Sequence, residues 1–347
     1  MKTRNMTMAV LLAAIPALLV AAPKPAPSKT PPPKSAASPM PAAPDRSFMH
    51  AEVILDRLGF SPGIIDGRPG LSFTAALKGF QTSRGLPVTG EPDAATLHAL
   101  SANRSWRPTV AIKLTPEILA GPFVGTIPHD EDAQAKLPSL GYKDPMEKLA
   151  EMFHTSPATL TALNSPDTKL APGAVITVPG VVAANKNYDA KLPDHWRATL
   201  ATLNVDASQP QAAKVVVSKH DKVLRAYDAG GKLVGQFMVT TGSTHDPLPI
   251  GTWKIYGADY NPKFHFNPKL FWDAKKSEKS AMLPPGPNGP VGVVWLDLSK
   301  EHYGIHGTPN PELIGRTASH GCVRLANWDA ARLALMIKPG TPAIFTE

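Results

Sequence analysis

The sequence contains a single cysteine, Cys322, among its 347 residues. One thiol cannot close an intrachain disulfide, so a disulfide-stapled scaffold is excluded. No CxxC and no HExxH occurs, which removes the usual signatures of structural zinc and of zinc proteases. There is no block of Lys/Arg either. The formal net charge is +8, but the basic residues are scattered, which argues against nucleic acid as the partner. An anionic polymer or membrane surface remains compatible with that charge. The one long apolar run, Met8–Val20, is short for a membrane span and is interrupted by Pro16. No cysteine follows it, so a lipid-modified N-terminus has no attachment point.

A hydrophobic content of 43% can bury a sizeable core, and the length suits two or three domains. The basic start, short apolar run and small residues of "MKTRNMTMAVLLAAIPALLVAA" read as a secretory signal peptide over 1–22. Residues 23–45, mostly Pro, Ala, Ser and Lys, read as an extended linker. The chain is therefore expected to be exported, to a periplasm or cell wall. In an oxidising compartment a lone thiol is a buried inert group, an intermolecular bridge or a reactive nucleophile.

Residues 46–103 predict a small all-α bundle. Ala51, Ile54, Leu55 and Leu58 share one helical face, Gly59 stops that helix, a second runs over Thr74–Phe80, and Asp93 caps a third carrying Leu97 and Leu100. The stretches "LGFSPGIIDG", "TAALKGFQ" and "GLPVTGEPDAATLHAL" resemble the peptidoglycan-binding domain of the first type. Residues 110–182 predict a small α+β module. Leu149, Phe153, Leu160 and Leu163 give two helices and "GAVITVPG" a strand, with a first strand expected at Ala120–Ile127. This segment resembles a LysM module, whose family binds glycans containing N-acetylglucosamine. Residues 183–211 read as a polar connector with Trp196 and Leu200 on a short helix.

From 212 to 347 the alternation of apolar and polar residues predicts a mostly-β domain, closed by an amphipathic helix over 327–337. It holds the candidate site. Cys322 lies near His306, His320 and His302. A histidine can take the thiol proton, leaving a nucleophilic thiolate. Gly321 permits a tight turn. Backbone N–H groups of His320, Gly321 and Cys322 can converge on an oxyanion. Arg324 falls on the same strand face as Cys322 and can grip a carboxylate bidentately. The Gly307 carbonyl can accept from the second nitrogen of His306 and fix its tautomer. Ser319 and Tyr303 are read as substrate contacts beside Arg324, and His302 as a structural neighbour. A zinc site from His306, His320 and Cys322 is the competing reading, disfavoured by the tight His-x-Cys spacing. The long segment 260–290 can wall a cleft; Phe266, Phe271 and Trp272 there are read as packing residues.

"IHGTPNPELIGRTASHGCVRL" resembles the signature of the L,D-transpeptidase (YkuD-type) catalytic domain: His306-Gly307, then Ser319-His320-Gly321-Cys322-Val323-Arg324. "PLPIGTW" (247–253) is similar to that family's Thr-Pro-x-Gly motif, with Leu248 where threonine is common. The resemblance implies a thioester acyl-enzyme on Cys322, release of D-alanine from a tetrapeptide stem, and a 3→3 peptidoglycan cross-link. It implies no cofactor and no metal, peptidoglycan as partner, carbapenem-type β-lactams as inhibitors, and a monomer. Water as acceptor would make the same site an L,D-carboxypeptidase. Attachment of proteins to the wall, or a non-catalytic wall-binding scaffold, are further readings.

Overall fold

The computed structural model describes residues 43–275 and 277–347. The expected signal peptide and nearly all of the expected linker lie outside them. Among the described residues no helix is long and apolar enough to cross a membrane.

Three helices open the described chain: α1 (Arg46–Arg57), α2 (Leu71–Arg84) and α3 (Ala94–Leu100). Asp45 caps α1 and Asp93 caps α3, each carboxylate accepting backbone N–H groups of the first turn. Gly85, at φ +66°, ends α2 in the left-handed region. The core joins Ile54, Leu55, Phe73, Leu77, Phe80 and Leu100. Leu97 is half exposed, so only one face of α3 is buried.

The middle segment has β1 (Thr109–Lys113), then the short α4 (Glu131–Gln134), α5 (Pro145–Met152), α6 (Pro157–Leu163) and β2 (Val175–Pro179). β1 and β2 pair antiparallel, Thr109 opposite Pro179. Asp144 and Ser156 cap α5 and α6, with Pro145 and Pro157 at the first helical position. The expected strand at Ala120–Ile127 is corrected: that stretch is irregular, and the partner of β2 lies earlier, at Thr109–Lys113. The reason is visible in the sequence. "TVAIK" carries three β-branched residues, Thr109, Val110 and Ile112, whereas 120–127 carries Gly121, Pro122 and Gly125.

The C-terminal part is an eight-stranded mixed sheet. Its strands are β3 (Lys214–Ser218), β4 (Val223–Tyr227), β5 (Leu233–Met238), β6 (Gly251–Tyr260), β9 (Val294–Leu298), β10 (Gly304–His306), β11 (Val323–Arg324) and β12 (Pro342–Thr346). Their order is β11-β10-β9-β6-β12-β3-β4-β5. Between β6 and β9, β7 (Phe264–Phe266) and β8 (Ala281–Leu283) form a separate hairpin. Two helices complete the chain, α7 (Asp194–Thr202) and α8 (Asn327–Met336).

Two further expectations are corrected. Residues 183–211 are not merely a polar connector, because Trp196 and Leu200 of α7 are fully buried in the sheet's main core. The helix over 327–337 is not amphipathic in place. Nine of the ten residues of α8 are buried, including Asp329 and Arg332. The charged positions that read as a solvent face are covered by the N-terminal segments. Asp56 of α1 pairs with Arg332 at 3.2 Å, Ser61 donates to Asp329 at 2.7 Å, and His154 lies flat on Trp328 at 5.0 Å between centroids.

The helical segment also covers the sheet edge. Gln236 of β5 donates its side-chain N–H to the Ala75 carbonyl at 2.6 Å, and Phe60 bridges to Gln236. An exposed edge strand invites pairing with other chains, and α2 removes that hazard. The modules are therefore packed together, not tethered on loose linkers.

Candidate active site

β10 and β11 are the parallel pair at one end of the sheet, with Ile305 opposite Val323 and His306 opposite Arg324. Registered residues of adjacent strands share a face, and side chains two apart along a strand share it too. Cys322 immediately precedes β11. The fold thus gives Cys322, Arg324 and His306 to one face of two neighbouring strands, although sixteen positions separate the thiol from the imidazole. The turn carrying Cys322 is clamped on its other side by the segment after β5: Thr240 and Arg324 exchange both backbone hydrogen bonds, and the Ser319 N–H donates to the Thr241 carbonyl at 2.9 Å.

His306 is buried, and its Nδ1–H donates to the Gly307 carbonyl at 2.7 Å. That bond leaves Nε2 as the unprotonated nitrogen. Trp295 of β9, registered opposite His306, stacks on the ring at 5.4 Å between centroids. Burial, aided by the charge of Arg324, lowers the imidazole to about 3, against the opposing Gly307 bond. Burial likewise raises the Cys322 thiol, although a backbone N–H from Gly304 and the Arg324 charge act the other way. Both shifts favour the neutral thiol and the neutral imidazole over a resting thiolate–imidazolium pair, because burial disfavours either charged form. Cys322 is partly exposed, and its thiol points to the His302 carbonyl at 3.9 Å. His302 enters through its backbone, held in the left-handed region at φ +68°.

The turn itself explains two glycines. Gly321 sits at φ +101°, and a Cβ there would lie 2.5 Å from the Tyr303 ring. Tyr303 thus lies against the Cys322 turn, and the negative charge of a Cys322 thiolate contributes to the raised pKa of its phenol, after burial. Gly304 admits the Trp295 indole, 2.3 Å from where a Cβ would sit.

Ser319 is a revision. It is buried, its hydroxyl donates to the Cys322 carbonyl at 2.6 Å, and it accepts the Gly321 N–H at 3.2 Å. Both of its hydrogen-bonding roles are taken by the turn, so its geometry is that of a brace and not of a substrate contact. The same bond engages the Gly321 N–H, leaving those of His320 and Cys322 as oxyanion candidates.

Arg324 forms no ion pair among the described residues, and its buried Nε has no hydrogen-bond partner. Burial lowers its pKa, partly offset by Cys322 and Asp273. A desolvated guanidinium with an unused donor is a ready carboxylate site.

His320 Nε2 meets Asp273 Oδ1 at 2.8 Å, so its ring ties the Cys322 turn to segment 260–290. Phe271 packs edge-on against that ring at 5.0 Å. Phe266 and Phe271 stack within the hairpin's own cluster, which includes Leu140 and Leu283. Trp272 differs from the packing expectation. It is 58% exposed and stacks on His245 at 4.7 Å. Trp295, Asp273 and Asn327 have no motif to single them out in the sequence; their relevance comes only from strand register and long-range contacts. Among the described residues no group of three or more His, Cys, Asp or Glu could hold a metal ion. Two cavities of about 350 and 400 Å³ lie at the module junctions, and neither is lined by Cys322.

Residues 212–345 match the family model of the YkuD L,D-transpeptidase catalytic domain, and residues 49–100 match the model described as "Putative peptidoglycan binding domain". The curated "Putative L,D-transpeptidase YkuD" of Bacillus licheniformis is 52% identical over 133 residues, which covers 38% of this chain and 65% of the relative. Its namesake in Bacillus subtilis is 54% identical over 55 residues, covering 16% of this chain and 34% of the relative. The chain thus spans less than two thirds of either relative. A solved L,D-transpeptidase from Mycobacterium smegmatis aligns with TM-score 0.32 and 17% identity, covering 38% of this chain and 58% of that one.

Proposed function

We propose that this protein is a cysteine L,D-transpeptidase of the cell wall, acting on peptidoglycan stem peptides through a thioester on Cys322. The observation that carries the proposal is the shared face of Cys322, His306 and Arg324. It combines a nucleophile, a base with a fixed tautomer and an unpaired cation.

In the first half-reaction His306 Nε2 takes the thiol proton as Sγ attacks the donor carbonyl carbon. Proton transfer and attack occur together, because neither isolated ion is favoured at rest. The N–H groups of His320 and Cys322 receive the oxyanion. The tetrahedral intermediate collapses, the C–N bond breaks, and D-alanine leaves with the proton from His306. In the second half-reaction the side-chain amine of another stem attacks the thioester, gives its proton to His306, and restores the thiol. The product is a 3→3 cross-link. Arg324 binds the stem carboxylate. Tyr303 and Trp272 flank the cleft. The chemistry needs no cofactor, and carbapenems would acylate the same sulfur.

The helical segment and the middle segment from β1 to β2 are proposed to hold peptidoglycan, the second in the manner of a LysM module, at an exported location in the periplasm or cell wall. The test is incubation of purified protein with tetrapeptide muropeptides. Dimers joined 3→3 support transfer; tripeptides alone would reassign the site to an L,D-carboxypeptidase.

A further inference from the structure

Asn327, the first residue of α8, is fully buried, and both ends of its side-chain amide are hydrogen-bonded. Its Oδ1 accepts the Val293 N–H at 3.2 Å. Its Nδ2 donates to Glu151 Oε1 at 2.8 Å and to the Pro287 carbonyl at 3.0 Å. Donor and acceptor partners on opposite sides of the amide fix which way it faces. Oδ1 is also packed against the backbone of Gly307, where it would sit 2.2 Å from a Cβ. Gly307 is the residue whose carbonyl holds Nδ1 of His306.

Glu151 belongs to α5 of the middle segment, 176 positions from Asn327 in sequence. It is buried, and its second oxygen accepts from the Tyr142 hydroxyl at 3.0 Å. A cleft of about 400 Å³ lined by Tyr142, Glu147 and Glu312 opens beside it. Desolvation costs for buried polar groups make such a chain all-or-none: removing one member leaves the others unpaired and free to turn.

We infer that Glu151, backed by Tyr142, is a positioning residue for the active site: through Asn327 it fixes the Gly307 peptide, and so the tautomer and orientation of His306. The middle segment is then a structural part of the catalytic centre as well as a wall-binding attachment. The inference rests on the reading of His306 as the base. Burial pushes the Glu151 carboxyl up to about 8, so glutamine closely imitates the neutral acid present near pH 7.

The test uses the full chain with Glu151→Gln, Glu151→Leu, Tyr142→Phe and Asn327→Ala. Three readouts are taken: imidazole ¹⁵N shifts of His306 without substrate, the rate and apparent affinity of acylation by meropenem, and melting temperature. Glu151→Leu and Asn327→Ala are expected to move the His306 shifts toward a tautomer mixture. They should slow acylation about tenfold with affinity unchanged, the size of one charge-assisted or buried hydrogen bond. Glu151→Gln should restore both readouts to within about threefold of wild type, and Tyr142→Phe should fall between. A lowered melting temperature with His306 shifts and acylation rate both at wild-type values would overturn the inference. Should Glu151→Leu fail to fold, unchanged shifts and rate in both Tyr142→Phe and Asn327→Ala would overturn it equally. Shifts that move in a wild-type background that never forms an acyl adduct would instead sink the proposed reaction and leave the positioning role standing.

Discussion

Asp56, in the first helix, and Arg332, in the last, form a buried ion pair at 3.2 Å that joins the two ends of the described chain. His154 of the middle segment also meets Asp56, at 3.1 Å, and reaches the Leu203 carbonyl with its other nitrogen at 2.7 Å. Burial alone would raise the Asp56 carboxyl. The charges of Arg332 and His154 outweigh it and hold the group far below the usual carboxylate range. Three modules thus share one desolvated charge network.

Removing one partner of such a network strands the others. Asp56→Ala is expected to cost about 3–5 kcal/mol, the range for breaking a buried pair. Thermal unfolding of the wild type should be one cooperative transition over the described modules. Calorimetry checks both. A separate, unshifted transition for residues 212–347 in the variant would show that the network does not couple them.

The neutral resting state of the site sets its pH behaviour. With His306 lowered to about 3 and the Cys322 thiol raised, both shifts favour a protonated sulfur at neutral pH in the absence of substrate. Iodoacetamide alkylation should therefore keep accelerating as pH rises past about 8.5, the ordinary thiol value, with no inflection near the ordinary histidine value. A rate plateau reached below neutral pH would reveal a resting thiolate–imidazolium pair.

Much of this architecture is legible in the amino-acid sequence. The helix cap Asp93, the stop at Gly59 and the β-rich pattern after 214 follow local rules, and local rules suffice for them. The pairing of His306 with the Gly307 carbonyl is also within reach, since it spans one residue. Ser319 misleads because a hydroxyl beside a nucleophile looks like a substrate contact. Its use as a brace depends on the three-residue return from Ser319 to the Cys322 carbonyl. The polar side of α8 misleads for a different reason. Asp329 and Arg332 are solvent-facing by periodicity, and only contacts from more than 260 positions away bury them. Asp273, Trp295 and Glu151 carry no local signature at all.

Arg324 is the residue most open to a specific chemical test. Its unpaired Nε and lack of a carboxylate partner among the described residues fit a guanidinium that waits for substrate. Arg324→Gln should weaken use of a stem with a free carboxylate by about 10- to 100-fold, the worth of a charge-assisted bond, chiefly through KM. Arg324→Lys should recover little, because an ammonium cannot make the bidentate contact. Equal kinetics for stems with free and amidated carboxylates in the wild type would contradict the assignment.

Glu52 offers a stability test away from the site. It is 2% exposed and accepts the Gly67 N–H at 2.8 Å, yet burial raises its carboxyl to about 8. A carboxyl raised in the folded state holds its proton better there than in the unfolded chain. Its contribution is therefore complete below about pH 4.5 and is lost as pH climbs toward 8. Glu52→Gln keeps the acceptor and removes the titration. The variant should gain melting temperature over wild type between about pH 5 and 8, and the gain should vanish at about pH 4. A constant offset across that range would show that Glu52 does not titrate on unfolding.

The most direct measurement is intact mass after exposure to meropenem, made on the wild type and on Cys322→Ala. A single covalent adduct on the wild type and none on the variant is the predicted result. An adduct that persists in Cys322→Ala, or an unmodified wild type under conditions where its fold is intact, would contradict Cys322 as the acyl-carrying nucleophile.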